Sequence, residues 1–527
     1  MVVLREQSII THAFFGVEQA LKDGTTANKT LLEMWRRIRE DLHLSSPVRP
    51  EWALDLRLAE VDPTTTGLRV LAAAGRSAPG VFFRATVYKM FDVVGVALVQ
   101  SSAGSTWSDL CADWFAGWPG PEDGEENAAA AERREGVLGV ATIHVGLTRD
   151  WTVAKPWRSP PPALTAVFDA NTHPEWRKGW WRPVRELILW ELAPPEGAHP
   201  LLARRLVAAA AKRHEGIVDD WLWNNQVHPS ALPPFTSYLL HTAKVRYERS
   251  VLSRSLPGLN RLTKETNNQA ELLAARIERG DQGSIGEVVQ AHRMLARLRW
   301  TQRGLSDSLG AVQSMAMTVR IGIDNMMGSL RGAPPGPDGN PVADDLRLAR
   351  WTEDQLKAEE IYLRSALDRA EAMQRHAAVE VGAALQLRKT SLVVVQTAII
   401  GALLMALAGI QSMDYEVNWL PGYLLAPTIF TLAAVALVLP SAVLRWPRGG
   451  GGDANMAWFD IAGNAVAGTA IGWFVITLAL HLAQGSESPP AWSAVAAIAG
   501  AGVGWALSFI LLRKRRRRTA PGSRRLP

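Results

Sequence analysis

SLVVVQTAIIGALLMALAGIQSM occupies residues 391–413, and it is the first of four apolar blocks in the last quarter of the chain. The others are Pro421–Leu444, Trp458–Ala483 and Ala491–Leu512. Each is long enough to cross a bilayer, because about 20 helical residues span ~30 Å. The charges around them predict an orientation. Arg388 and Lys389 precede the first block, Arg445 and Arg448 separate the second from the third, and Arg513, Lys514, Arg515, Arg516, Arg517 and Arg518 follow the fourth. The two remaining connections carry Asp414, Glu416 and Glu487, with no Lys or Arg. Lys and Arg near span ends stay on the cytoplasmic side. The pattern therefore predicts a multi-pass protein of the inner (cytoplasmic) membrane, with both termini cytoplasmic and two short acidic loops outside.

The overall charge fits that picture better than it fits nucleic-acid binding. The net charge is +6, but residues 513–527 hold eight Lys or Arg and no acid, so the remainder carries a net −2. The cations form a membrane-flanking cluster suited to anionic headgroups. The body of the protein has no basic footprint for nucleic acid. One cysteine, Cys111, excludes an intramolecular disulfide and reads as a small core residue beside Leu110, Ala112, Trp114 and Phe115. The opening MVVLREQSII lacks the charged-then-apolar layout of a signal peptide.

Residues 1–230 read as a cytoplasmic α/β domain. Strands are predicted over Ile9–Val17, Val81–Tyr88, Phe91–Gln100, Gly136–Leu147 and Val184–Leu192. Helices are predicted over Asn28–His43, Thr106–Phe115 and Leu201–Asn224. In the first helix Leu31, Met34, Trp35, Ile38 and Leu42 share one face. The order strand–helix–strand–strand–helix–strand is ferredoxin-like, with one strand and one helix appended. Between 151 and 182 the chain is rich in Trp, Pro and cations. There Trp176, Trp180, Trp181 and Arg182 are the candidate residues for stacking on a base or clamping a peptide. A Trp-rich flap packed on the sheet is the structural alternative.

From 234 to 390 the chain turns helical. Two helices, Phe235–Leu256 and Leu259–Arg279, are predicted on either side of Pro257-Gly258. From Val288 to Leu330 apolar residues recur at alternate spacings of three and four, with Gln302 the lone polar member. That is a coiled-coil seam, and Gln302 is placed to fix register. After the turn segment RGAPPGPDGNP (331–341), Val342, Ala349, Leu356, Leu363, Ala370, Ala377 and Ala384 repeat every seven residues. The second seam position is mixed: Leu346, Glu353, Glu360, Leu367, Gln374 and Val381. The arms 284–332 and 342–390 are expected to form an antiparallel hairpin, ~73 Å long as ideal helix. This helical region is also the expected route to a homo-oligomer.

Catalytic chemistry is not evident. No GxxxxGK[ST] loop, HExxH or paired cysteine occurs, so no cofactor and no metal site is expected. Within the apolar blocks, Asp460, Asn464, Gly468 and Gly472 recur every four residues, as do Ala496, Gly500, Gly504 and Ser508. Such ladders let helices approach closely. Asp460 is the one ionisable residue near the start of a span, which makes it the candidate membrane functional residue.

The opening REQSIITHAFF (5–15), the segment YKMFDVVGVALVQ (88–100) and the helices leading into the apolar blocks resemble the actinobacterial CATRA proteins of biological conflict systems. The acronym stands for caspase- and TPR-repeat-associated. The resemblance implies a component of an immunity or self-killing system, encoded beside a caspase-like protease or a TPR protein. It implies no catalytic residues.

The expected architecture is an α+β domain with ferredoxin-like elements, an all-α coiled-coil region (234–390), a four-helix transmembrane bundle (391–512) and a basic tail (513–527). The expected function is a non-enzymatic, membrane-anchored sensor or effector. Its partners are the lipid bilayer, further copies of itself and a protease or TPR protein, without nucleic acid. Two rivals remain: a CorA-like channel or transporter, whose two spans and GMN signature do not match, and a nucleotide-using enzyme built on the Trp-rich segment.

Overall fold

A computed structural model of the chain describes residues 4–110, 136–149, 176–193, 201–224, 230–279, 285–333, 339–412, 422–445, 454–484 and 490–518. It divides into two compact units. The first comprises Met1–Glu265 and Leu298–Leu367, the second Thr266–Arg297 and Asp368–Pro527.

The first unit is built on β1 (Leu4–Gly16). Ile10, His12 and Phe14 point to one side of it; Ile9, Ala13 and Phe15 point to the other, and all six are buried. A strand covered on both faces loses the apolar–polar alternation of a surface strand. The other strands are β2 (Ser46–Pro47), β3 (Arg69–Ala78), β4 (Val81–Met90), β5 (Val93–Ser102), β6 (Val137–Thr148), β7 (Trp176–Val184), β8 (Leu187–Leu192) and β9 (Ala203–Ala211). They form one sheet in the order β2-β3-β4-β5-β1-β6-β9-β8-β7. Only β6 and β9 pair in parallel.

The run β4-β5-β1-β6 is the antiparallel ferredoxin-like core that the sequence order predicts. Its helices α1 (Val17–Leu21), α2 (Thr26–Asp41) and α3 (Trp107–Leu110) cover one face. Thr25 caps α2 by accepting the Asn28 amide, and Leu31, Met34, Trp35 and Ile38 are buried beneath it. The predicted helix 106–115 is described only to Leu110, and Cys111 lies outside the described residues.

The flanks differ from expectation. Residues 203–211, ARRLVAAAA, form β9, not the first half of a helix; only α4 (Glu215–Leu222) is helical there. Alanine favours helix in isolation, but this segment is hydrogen-bonded to β6 and β8, and pairing overrides propensity. Strands β3 and β7 have no counterpart among the predicted strands, and Val184–Leu192 is split by a turn between β7 and β8.

The opposite face of the sheet is covered by α4, by the first part of α5 (Pro234–Arg279), by α7 (Leu305–Ser329) and by the first part of α8 (Pro341–Ser412). Helix α5 runs unbroken through Pro257, because Leu252 and Leu259 are buried on either side of it and hold the axis. The predicted arm 284–332 is interrupted: α6 (Ile285–Trp300) and α7 are separated at Thr301–Gly304, where Arg303 has φ 66°. Gln302 is exposed in that break and fixes no register.

A two-helix hairpin is also replaced by three-helix packing. In the first unit Val245 of α5 meets Gly322 of α7, Arg249 of α5 lies 3.9 Å over the Trp351 ring of α8, and Gln313 of α7 bonds Glu360 of α8. In the second unit Leu273 of α5, Leu295 of α6 and Ala370 of α8 share one apolar cluster.

The four apolar blocks are helical: the end of α8, α9 (Gly422–Arg445), α10 (Ala454–Gln484) and α11 (Pro490–Arg518). Among the described residues one segment, Asn464–Ala483, is long and apolar enough to cross a membrane. Leu424–Val435 and Ala491–Ala506 are shorter apolar stretches. One candidate span is therefore established, and not the four that the sequence predicts.

Candidate functional site

The helix-facing side of the sheet holds two polar features in an otherwise apolar layer. The first is an ion network. Arg204 on β9 donates from Nε and Nη2 to the two carboxylate oxygens of Glu191 on β8, both at 3.1 Å. Its Nη1 lies 2.9 Å from Asp345 Oδ2, a charge contact without hydrogen-bond geometry. Arg246 on α5 donates to Asp345 Oδ1 from Nε at 3.1 Å and Nη2 at 2.6 Å. The Tyr238 hydroxyl donates to Asp345 Oδ2.

All five side chains are buried. Burial alone raises the Asp345 carboxyl, but Arg204 and Arg246 outweigh it and hold the group below the ordinary carboxylate range. Burial likewise disfavours the Arg204 cation, and Asp345 and Glu191 more than reverse that. Two cations against two anions leave the network neutral. It ties the first turns of α8 to two strands and to α5.

The second feature is a cavity of about 110 Å³. β1, β5 and β4 lay His12, Ala97 and Thr86 in one cross-strand row, and the next rows contribute Val99, Arg84 and Tyr88. His12 is fully buried, and neither ring nitrogen has a hydrogen-bond partner. Burial lowers its pKa to about 4, with a small opposing effect from the nearby Leu222 carbonyl, so the imidazole is neutral at pH 7. The Tyr88 hydroxyl is buried and unpartnered as well, and burial pushes the phenol up. Gly95, opposite Tyr88, makes this possible: a Cβ there would lie 2.2 Å from the tyrosine Cζ.

The rim carries Arg49, Trp52, Arg84 and Trp223. The Arg84 guanidinium lies 5.4 Å from the ring centres of both Trp52 and Trp223, and Arg49 lies 4.7 Å from that of Trp52. Trp223 is fixed by its Nε1–H, which donates to Asp219 at 2.8 Å. No Asp or Glu lines the cavity among the described residues.

The residues singled out from the sequence lie elsewhere. Trp176, Trp180, Trp181 and Arg182 belong to β7 and do not converge on a clamp. Adjacent strand residues face opposite ways. Trp180 packs with Trp190 and Ile188 on one face, whereas Trp181 is buried on the other near Phe235 and Tyr238. Arg182 donates to its own turn, at the Arg185 carbonyl. Residues 151–175 lie outside the described residues.

In the second unit the small-residue ladders meet. Carbonyl oxygens of Gly500 and Ala496 on α11 lie 2.2 and 2.6 Å from where Cβ atoms on Gly468 and Gly472 of α10 would be. Gly504 stands in the same relation to Asn464. Asp460 lies within α10, and Arg513 to Arg518 form the last turns of α11. No group of acids, histidines and cysteine suited to a metal occurs among the described residues.

The polar residues of the sheet face are those that sequence reading missed. Each interrupts an apolar run: His12 in IITHAFF, Arg84 in VFFRATVY, Glu191 in LILWEL. A polar residue on the inward register of a buried strand is the available signal.

No curated protein and no solved structure matches the chain. Two family models do. The CASPASE and TPR Repeat-Associated N-terminal domain matches residues 8–226, which contain the sheet and the cavity. The corresponding C-terminal domain matches residues 233–370, which contain α7, the first part of α8 and Asp345. With both halves matched in order over most of its length, the chain belongs to the CASPASE and TPR Repeat-Associated (CATRA) family.

Proposed function

We propose that the chain is a membrane-anchored, non-enzymatic sensor or effector of a bacterial conflict system, working with a caspase-like protease or a TPR protein. The observation that carries this reading is the continuity of α8. It is one helix from Pro341 to Ser412. Asp345, near its start, is held in the buried ion network with Glu191, Arg204, Arg246 and Tyr238. Its far end is the apolar block that begins at Ser391. A shift of the sheet–helix layer is therefore delivered along a stiff rod to the membrane.

Outward-facing apolar side chains support the anchoring. Leu482 is 77% exposed and Ile498 74% exposed, and residues of this kind are sheltered by lipid. The seam of α8 is covered within the chain by α5, α6 and α7, so copies of the protein associate through the span helices.

The test is a Gly-Gly insertion after Arg388. Two glycines weaken the helix and rotate its membrane end by about half a turn. The expected result is an inserted, folded protein whose expression no longer harms the cell when its partner system is triggered. Undiminished signalling by the insertion mutant would contradict the relay.

A further inference from the structure

We infer that the cavity on the helix-facing side of the sheet binds a small organic acid: one flat ring with hydrogen-bonding atoms at its inner end and an acidic group at its mouth. The inference goes beyond the membrane relay and does not depend on it, since binding is read without any signalling step.

Three observations fix the chemistry. The first is the floor. His12 and Tyr88 are both more than nine-tenths buried, both line the cavity, and both present polar atoms without a partner. Burying such atoms unpaired is costly, and a ligand that supplies their partners removes the cost. With the imidazole and the phenol both uncharged, they select a neutral hydrogen-bonding edge and not a second charge.

The second is the rim. Arg84 and Arg49 bring two cations to the mouth, with no carboxylate lining the cavity among the described residues. Each disfavours the other's charge, and Arg84 is also partly desolvated. Trp52 and Trp223 hold the Arg84 guanidinium between their rings and so aim it. A planar guanidinium fixed in this way matches an acidic group in bidentate fashion.

The third is size. About 110 Å³ of space is less than the roughly 150 Å³ that holds a benzene ring in an apolar cavity. The interior therefore admits a single ring, with its substituent left at the rim, and excludes fused ring systems. Val70, Ala97 and Val99 supply apolar contact between the two polar ends.

The test uses the full chain in detergent and three probes in calorimetric titration: orotate, a ring acid with hydrogen-bonding edges; benzoate, a ring acid without them; and inorganic phosphate, a bare anion. Orotate is expected to bind saturably, benzoate more weakly and phosphate most weakly. Arg84→Gln is expected to weaken both ring acids at least tenfold. Tyr88→Phe removes only an unpartnered hydroxyl, so the free protein keeps its stability while orotate binding weakens and benzoate binding does not. The inference is overturned if neither ring acid binds saturably, if phosphate binds as tightly as orotate, or if benzoate does so. It is also overturned if Arg84→Gln and Tyr88→Phe, each folded as the wild type is, bind orotate unchanged.

Discussion

His12 sits neutral and unpartnered inside the sheet layer, and that has a signed consequence for stability. Its folded pKa is about 4, against 6.5 for the free side chain. Above pH 6.5 neither state takes the proton. As pH falls from 6.5 toward 4 the unfolded chain takes it and the folded chain does not, so stability is lost across that window. His12→Phe removes this linkage. Relative to wild type, the variant should gain about 2 kcal/mol between pH 7 and pH 5, read as the shift in denaturation midpoint of the solubilised protein. An equal pH dependence in both proteins would mean that the imidazole is not buried neutral.

The ion network makes a second residue-scale prediction. Asp345→Ala leaves Arg204 and Arg246 facing one carboxylate in a dry layer, and should cost about 3–5 kcal/mol. Glu191→Leu combined with Arg204→Leu removes one ion of each sign and leaves Arg246 paired with Asp345, so it should cost much less than the single change. Chemical denaturation of the two variants separates the cases; a double variant worse than the single one would mean that the network is more than a neutral pairing. None of this was readable in advance. A lone polar residue in an apolar run marks a special position, but its partner, such as Asp345 for Arg204, lies far away in the chain.

At the scale of elements, β1, β4, β5, β6 and α2 were legible because each repeats a simple period. β9 was not. Its alanines match helix propensity, and only its pairing to β6 and β8 makes it a strand. The helical region failed differently. The positions of α8 buried alongside Ala349, Leu356 and Leu363 are Asp345, Thr352, Glu359 and Ala366, not Leu346, Glu353, Glu360 and Leu367. Three of the four are polar, so a search for apolar repeats chose the neighbouring register. Thr352 satisfies its hydroxyl on the Leu348 carbonyl, and Glu359 accepts from Gln355, which is how polar residues occupy an inner stripe.

The pairing of α10 with α11 was legible, because small residues every four positions are informative whatever surrounds them. Gly500→Ile would drive a side chain into Gly468, whose carbonyl oxygen lies 2.1 Å from the ideal Cβ position. Gly502→Ile points into open space. The first should separate the two helices and lower resistance to SDS denaturation, followed by ellipticity, while the second should leave it near wild type. Equal sensitivity of both variants would count against the close approach.

At the scale of the whole molecule, a ferredoxin-like sheet, enlarged on both flanks, is joined to apolar helices through the single helix α8. The sheet domain explains what is held: a neutral ion network and a polar-floored cavity on one face. The charge pattern around the apolar blocks explains where it is held. Arg388, Lys389, Arg445, Arg448 and the cations from Arg513 onward all fall on one side of the proposed bilayer, and Asp414, Glu416 and Glu487 on the other. That pattern concerns sequence and not packing, so it is tested without reference to the fold.

The most direct measurement is the placement of reporter fusions after residues 415, 450, 487 and 527 in intact cells, together with carbonate extraction of the membranes. The account predicts a protein that resists extraction, with reporters at 450 and 527 in the cytoplasm and those at 415 and 487 outside. Release of the full chain by carbonate, or a reporter at 527 on the outer side, would contradict it.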